Sequence, residues 1–206
     1  MTATDTIFYI VILIISVVIH EVCHGFAAEA LGDDTARHAG RLTLNPIAHL
    51  DLFGSIVLPA LLVISGSPFL FGWAKPVPYN PDNLRNKKWG TIAVAGAGVL
   101  ANLFIATIFG LLIRFTINSN FSVHFYAITS IIVLVNLGLA IFNLVPIPPL
   151  DGSKILFSFA PYSWKGVINF LERYGFFVLL VFIVLFSDYL YPILAFLFHL
   201  LSGLAL

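Results

Sequence analysis

An all-α polytopic membrane protein is the fold class this sequence predicts, and three observations predict it. The 206 residues are 60 % hydrophobic and 10 % charged, against roughly 45–50 % and 25 % in soluble domains. Mean hydropathy is +1.01. The apolar residues gather in stretches near or above the roughly 20 that a helix needs to cross a bilayer core of about 30 Å: Ile7–Ala30, Thr91–Ile113, His124–Val145 and Phe176–Leu201. The expectation is four full spans, a short or re-entrant membrane element and a small strand-like edge near the site, in a single domain over 1–206.

The first stretch follows Met1–Thr6, which holds Asp5 and no Lys or Arg. It outruns a signal-peptide core without a small-residue cleavage pattern, so it reads as a retained helix. Gly32-Asp33-Asp34 stops that helix near Leu31. Gly40 to Pro46 alternates like a short strand before a turn. Phe53 to Ile64 is apolar but short, holds Pro59 and meets Ser65-Gly66-Ser67-Pro68, which suits a re-entrant element over Phe53–Phe71 better than a span. In Gly72 to Pro78, Pro76 and Pro78 each remove a backbone donor and push their predecessors out of the helical region, so this segment is irregular. A basic linker with Arg85, Lys87 and Lys88 leads into two long spans, the second ending in Asn143-Leu144-Val145-Pro146-Ile147-Pro148-Pro149-Leu150-Asp151-Gly152. An amphipathic piece, Ser163–Tyr174, precedes the last span.

Lys+Arg 10 against Asp+Glu 10 leaves no net charge to attract nucleic acid or an acidic partner. The distribution of charge is more informative. With Phe53–Phe71 returning to the side it left, nine of the ten basic residues face one side and only Arg114 the other. By the positive-inside rule that side is the cytoplasm, with both termini outside. One cysteine, Cys23, excludes an intrachain disulfide and a cysteine metal cluster within one chain. A metal would be held by His and carboxylate.

His20-Glu21-Val22-Cys23-His24 lies inside the first span. Positions four apart on a helix differ by about 40° after one turn, so His20 and His24 project from one face about 6 Å apart. Two imidazoles so placed can share a tetrahedral zinc, with Glu21 flanking them as general base toward a water. Ionisable residues inside a span are expensive, about 2.5–3.5 kcal/mol or more for a charged group, which argues against chance placement. A catalytic zinc normally takes three protein ligands. Glu29, five residues beyond His24, faces about 140° away on the same helix. Asp151 is the better third ligand: the prolines before it break the third span near the cytoplasmic side, and irregular backbone at membrane depth survives where it lines a watery cavity. Counting from Ile7, His20 lies about 20 Å into the core, on the cytoplasmic side of its middle.

The pair of motifs, His20 to His24 and Asn143 to Gly152, resembles the signature of the site-2 proteases, the intramembrane zinc metalloproteases of peptidase family M50. Gly98 to Asn102 resembles the family's Gly-x-x-x-Asn. Gly40 to Asp51 and Phe71 to Pro78 are similar to segments of its small bacterial and archaeal branch, which lacks PDZ and CBS domains. Val99 stands where a proline is common, and Ser153 where a second glycine often follows. The resemblance implies one Zn2+ per chain on His20, His24 and Asp151, Glu21 as base, and hydrolysis of peptide bonds in or near transmembrane segments of membrane proteins. It implies a multi-pass protein of a prokaryotic cell membrane, whose active site the charge partition and the depth of His20 set toward the cytoplasm, while the charge balance gives no reason to expect a nucleic-acid partner.

Asn102 and Asn143, polar within spans, are candidates for substrate binding or support of the site, against plain interhelical hydrogen bonding. Leu42 and Leu44 are candidates for an edge that pairs with an unwound substrate strand. His49 and Asp51 are read as loop residues near the site entrance, and Cys23 as packing. A metal-ion transporter or a non-catalytic metal-binding membrane protein is the alternative reading, because intramembrane His and Asp also mark ion pathways. A Glu between the histidines serves water activation rather than ion passage.

Overall fold

The computed structural model describes residues 3–57, 60, 61, 64, 74–119 and 121–206. Its helices are α1 (Ala3–Ala30), α2 (Thr35–His38), α3 (Lys87–Thr116), α4 (Val123–Asn143), α5 (Asp151–Phe159) and α6 (Lys165–Ser202). Four of them contain stretches long and apolar enough to cross a membrane: Thr6–Ala30, Lys87–Thr116, Val123–Asn143 and Tyr162–Phe186. The protein is an all-α polytopic membrane protein.

Helix α3 is the hub, packing against α1, α4, α5 and α6. The reason is in its sequence: Gly90, Val94, Gly98, Asn102, Ala106 and Gly110 recur every four residues and all are buried. Such a ridge of small side chains lets neighbouring backbones approach closely without a hydrophobic drive in lipid. Ala106 and Ile113 meet Val133 and Leu137 of α4 and Phe198 of α6 in one core cluster. On the outer faces Ile7, Leu100, Phe104, Phe177 and Val184 stay exposed, as lipid-facing residues should.

Helix ends fall where the chain supplies a partner for free N–H groups. Asn86 caps α3 through Trp89 N and Ser122 caps α4 through Phe125 N, each satisfying a donor the helix leaves open. After α1, Gly32 takes φ +106°, a left-handed turn that glycine enters without a Cβ penalty.

The backbone N–H of Lys75 donates to the carbonyl of His49 at 2.9 Å. His49 and Lys75 therefore sit side by side at the two ends of the stretch that holds the expected short membrane element. Of that element Leu52–Val57 forms a π-helical turn. The rest of the Phe53–Phe71 expectation lies largely outside the described residues, as do Gly72 and Trp73.

Two expectations change in detail. Gly40 to Pro46 joins no strand ladder among the described residues. Pro76 and Pro78 opposite it offer no N–H, and the link is made instead by the Arg41 guanidinium, which donates to the carbonyls of Lys75 at 2.6 Å and Pro76 at 3.3 Å. Asn45 then opens a 3-10 turn over Pro46–His49. At the carboxyl end, the amphipathic piece and the last span are one continuous helix, α6. Nothing between Tyr174 and Phe176 breaks it: Gly175 serves close packing, since a methyl there would stand 2.6 Å from the Pro148 carbonyl oxygen.

Candidate metal centre

His20 and His24 lie on the face of α1 that turns toward α3, and both are buried, at 5 % and 7 % exposure. The rings meet edge to face with centroids 4.6 Å apart. Gly98 makes room for them: a methyl group there would stand 2.6–2.7 Å from atoms of both rings. Each Nδ1 faces a helix neighbour. His20 Nδ1 lies 2.6 Å from Asn102 Oδ1, and His24 Nδ1 lies 2.6 Å from the carbonyl of Val94.

Asp151 arrives from the far end of the chain. Helix α4 ends at Asn143, and the proline-rich turn delivers Asp151 as the first residue of α5, with 4 % exposure. Gly152 permits that delivery, because a side chain there would run into the carbonyl oxygens of Leu144 and Val145. Asp151 Oδ2 stands 3.1 Å from His20 Nε2 and 3.0 Å from His24 Nε2, and the two Nε2 atoms are 3.0 Å apart. Lys154, one turn along α5, donates to the other oxygen, Oδ1, at 3.0 Å.

The triangle fits a metal ion, and the hydrogen bonds around it say why. The Val94 carbonyl can only accept, so His24 Nδ1 carries the proton; Asn102 Oδ1 imposes the same on His20. Both Nε2 atoms then present lone pairs, to each other and to a carboxylate oxygen. Three acceptors this close repel unless a cation sits among them. A tetrahedral zinc with bonds of about 2.0–2.1 Å holds its ligand atoms roughly 3.3 Å apart, close to the spacing seen here. Histidines that bind metal also usually donate their second nitrogen to an outer partner, as these do.

Glu21 is half-buried beside the pair, and His20, Glu21 and His24 each bring a ligand-type atom within 4.8 Å of the others. Its Oε2 accepts from the backbone N–H of Val77 at 2.8 Å. Pro76 and Pro78 have no N–H, so Val77 supplies the single donor of that tripeptide, and it points at Glu21. A cavity of about 650 Å³ reaches this neighbourhood, lined by Tyr79, Lys88, Pro148, Pro149, Ser153 and Lys154 among others. Of its lining, Lys154 links it to the site through the bond to Asp151 Oδ1.

The other expected residues divide. Asn102 is fully buried and bonded to His20. Asn143 turns its amide onto Leu139 O in its own helix, at 2.9 Å. Leu42 packs against Gly25 of α1, while Leu44 is exposed. His49 is buried, with Nε2 on Thr43 O at 2.8 Å, and Asp51 caps the following turn through Gly54 N. Glu29 pairs with Arg37, away from the site. Sequence reasoning missed Lys154, Asn136 and Ser16. Asn136 had a usable signal, an amide inside an apolar span; Lys154 had one in its spacing of three from Asp151 on a helix.

The family model described as peptidase family M50 matches residues 114–186, a stretch that holds Asn143 and Asp151 but not the two histidines. Among curated proteins, the chain is 39 % identical over 195 residues to one from Bacillus subtilis named "Putative zinc metalloprotease YwhC", covering 91 % of this chain and 85 % of that one. It is 27 % identical over 171 residues to one from Mycolicibacterium smegmatis named "Putative zinc metalloprotease Rip2", covering 83 % of this chain and 64 % of that one. No solved structure matches.

Proposed function

Because the chain belongs to peptidase family M50, the site-2 proteases, and is a zinc metalloprotease with helices of membrane-spanning length, we propose that it hydrolyses peptide bonds in or near transmembrane segments of other membrane proteins. The observation that supports this most is the meeting of His20 Nε2, His24 Nε2 and Asp151 Oδ2 at 3.0–3.1 Å inside a bundle of apolar helices. In this reading His20, His24 and Asp151 hold one zinc and Glu21 is the general base. The whole of 1–206 acts as a single intramembrane domain.

Zinc in this cage would polarise a carbonyl and lower the pKa of a water toward about 7. Glu21 takes the proton of the attacking water and passes it to the leaving amine. The Val77 N–H holds one carboxylate oxygen and so fixes the orientation of the base. Lys154 engages Asp151 Oδ1 and leaves Oδ2 for the metal. A substrate helix hides its carbonyls in its own hydrogen bonds, so it must unwind first. The Arg41–Pro46 segment, with Leu42 turned inward and Leu44 outward, offers an extended surface beside Lys75–Pro78 for the unwound strand.

The site faces the cytoplasm of a prokaryotic cell in this reading. The nine-to-one partition of basic residues supports that orientation, together with the Lys75–His49 bond, which brings Lys75 and the linker back to the side of Arg37 and Arg41. The test is reconstitution. Purified protein in liposomes is expected to carry one zinc per chain, to cut a single-span reporter protein, and to stop when a chelator strips the metal. Full zinc content in both His20→Ala and His24→Ala, or cleavage indifferent to the chelator, would overturn the reading.

A further inference from the structure

We infer that Asn136 and Ser16, which bond to none of the three metal ligands, are positioning residues that set the tautomer of His20 through Asn102. The inference rests on the zinc reading above and concerns how the cage is kept ready for the ion.

The bonds run in one direction. Asn136 Nδ2 lies 2.9 Å from the carbonyl of Ile132 and 3.0 Å from Ser16 Oγ. A carbonyl can only accept, so the amide nitrogen of Asn136 must face Ile132, and its Oδ1 must face the other way. There Asn102 Nδ2 donates to it at 2.8 Å, and also lies 3.4 Å from the carbonyl of Ser16. Asn102 Oδ1 is thereby turned to His20 Nδ1 at 2.6 Å. An oxygen at that position requires a proton on Nδ1, which leaves Nε2 with its lone pair toward His24 and Asp151. Asn102 and Asn136 are both fully buried, and Ser16 nearly so, at 4 % exposure. Buried in this way, both amide nitrogens find an acceptor for each of their two hydrogens, and neither amide can flip without orphaning donors.

Without Asn136, Asn102 keeps only the long contact to Ser16 O to hold its orientation. It can then turn its nitrogen toward His20, which favours a proton on Nε2 and blocks the metal. A helix that contributes no ligand, α4, thus governs a ligand on α1. His24 needs no such chain, because its Nδ1 partner is already a backbone carbonyl.

The experiment is a zinc-affinity titration against a chelator on the full chain in detergent. Asn136→Leu, with Asn136→Ala in its place should leucine not pack, is expected to weaken zinc binding about 10- to 100-fold, the usual range for loss of an outer partner. Asn136→Asp, neutral in this buried position so that its O–H takes over the bond to Ile132 O while its other oxygen faces Asn102, is expected to stay within about threefold of the wild type. The discriminating variant adds Asn102→Asp to Asn136→Leu. A carboxylate offers His20 an acceptor whichever way it turns, so zinc affinity is expected to recover; a merely structural role for Asn136 predicts no recovery. Unchanged affinity in Asn136→Leu, or none regained in the double variant, overturns the inference and leaves the zinc site itself standing. Failure of the wild type to bind zinc at all would instead remove the reading beneath it.

Discussion

Gly98 faces His20 so closely that a methyl group on its α-carbon would stand 2.6 Å from Cε1 and 2.7 Å from Nε2. Neither histidine can swing aside cheaply, because His20 is tied to Asn102 and His24 to Val94. Gly98→Ala is therefore expected to spread the cage and lower zinc affinity about tenfold or more, with normal membrane insertion. Wild-type affinity in this variant, by chelator competition, would mean the rings have room to move.

Asp33 joins the end of α1 to the approach of α3. Its carboxylate accepts from Thr35 N, the Thr35 hydroxyl, Asn80 N and Asn83 Nδ2. Burial pushes its pKa up, but those four bonds outweigh it and hold the carboxyl below its ordinary value. A depressed folded-state pKa contributes stability that is present above the unfolded value, about 3.9, and is lost as pH falls through the folded one. The melting temperature of the wild type is expected to drop as pH falls below about 4. Asp33→Asn should melt lower at neutral pH and decline less steeply, so the two curves converge in acid. Parallel curves would show that Asp33 is not the group responsible.

Topology follows from the charge partition and the Lys75–His49 bond. In a Cys23→Ala background, single cysteines replacing Arg85 and Ser163 are expected to react with an impermeant thiol reagent from the cytoplasmic side only, and one replacing Ser119 from outside only. Labelling of the Arg85 and Ser163 positions from opposite faces would contradict an even number of crossings between them.

What the sequence disclosed is what periodicity and composition encode. Helix α1 was expected over Ile7–Leu31 and runs Ala3–Ala30, because apolar length and Gly32 are local signals. His20 and His24 share a face by helix geometry alone, and Asp151 stood out because the prolines before it forbid a continuing helix. The stripe from Gly90 to Gly110 was equally visible as a repeat of four, but it reads as apolar filler until its neighbours are known. Asn136 and Ser16 gain meaning only when α1, α3 and α4 are placed together, since their partners lie 34 and 120 residues away. The Glu21–Val77 bond spans 56 residues, and no spacing rule anticipates it. The strand-like reading of Gly40–Pro46 was overridden by Pro76 and Pro78, which remove the donors a ladder would need.

Glu21→Gln separates a protease from a passive metal binder or transporter. The two side chains have similar volume and helix preference, and the amide keeps an oxygen for the Val77 N–H, so the strap at Lys75–Pro78 should stay in place. His20, His24 and Asp151 are untouched, and zinc content is expected to remain at one per chain. What disappears is the proton acceptor: an amide cannot take a proton from the attacking water or return one to the leaving amine. General acid–base catalysis of this kind contributes about 10²- to 10⁴-fold, so cleavage of a single-span reporter in liposomes should fall at least that far while membrane insertion and metal binding are unchanged. Cleavage at the wild-type rate would remove Glu21 from the mechanism. A wild-type protein that cuts nothing but carries zinc across the liposome membrane, with Glu21→Gln carrying it equally well, would replace the protease by a transporter.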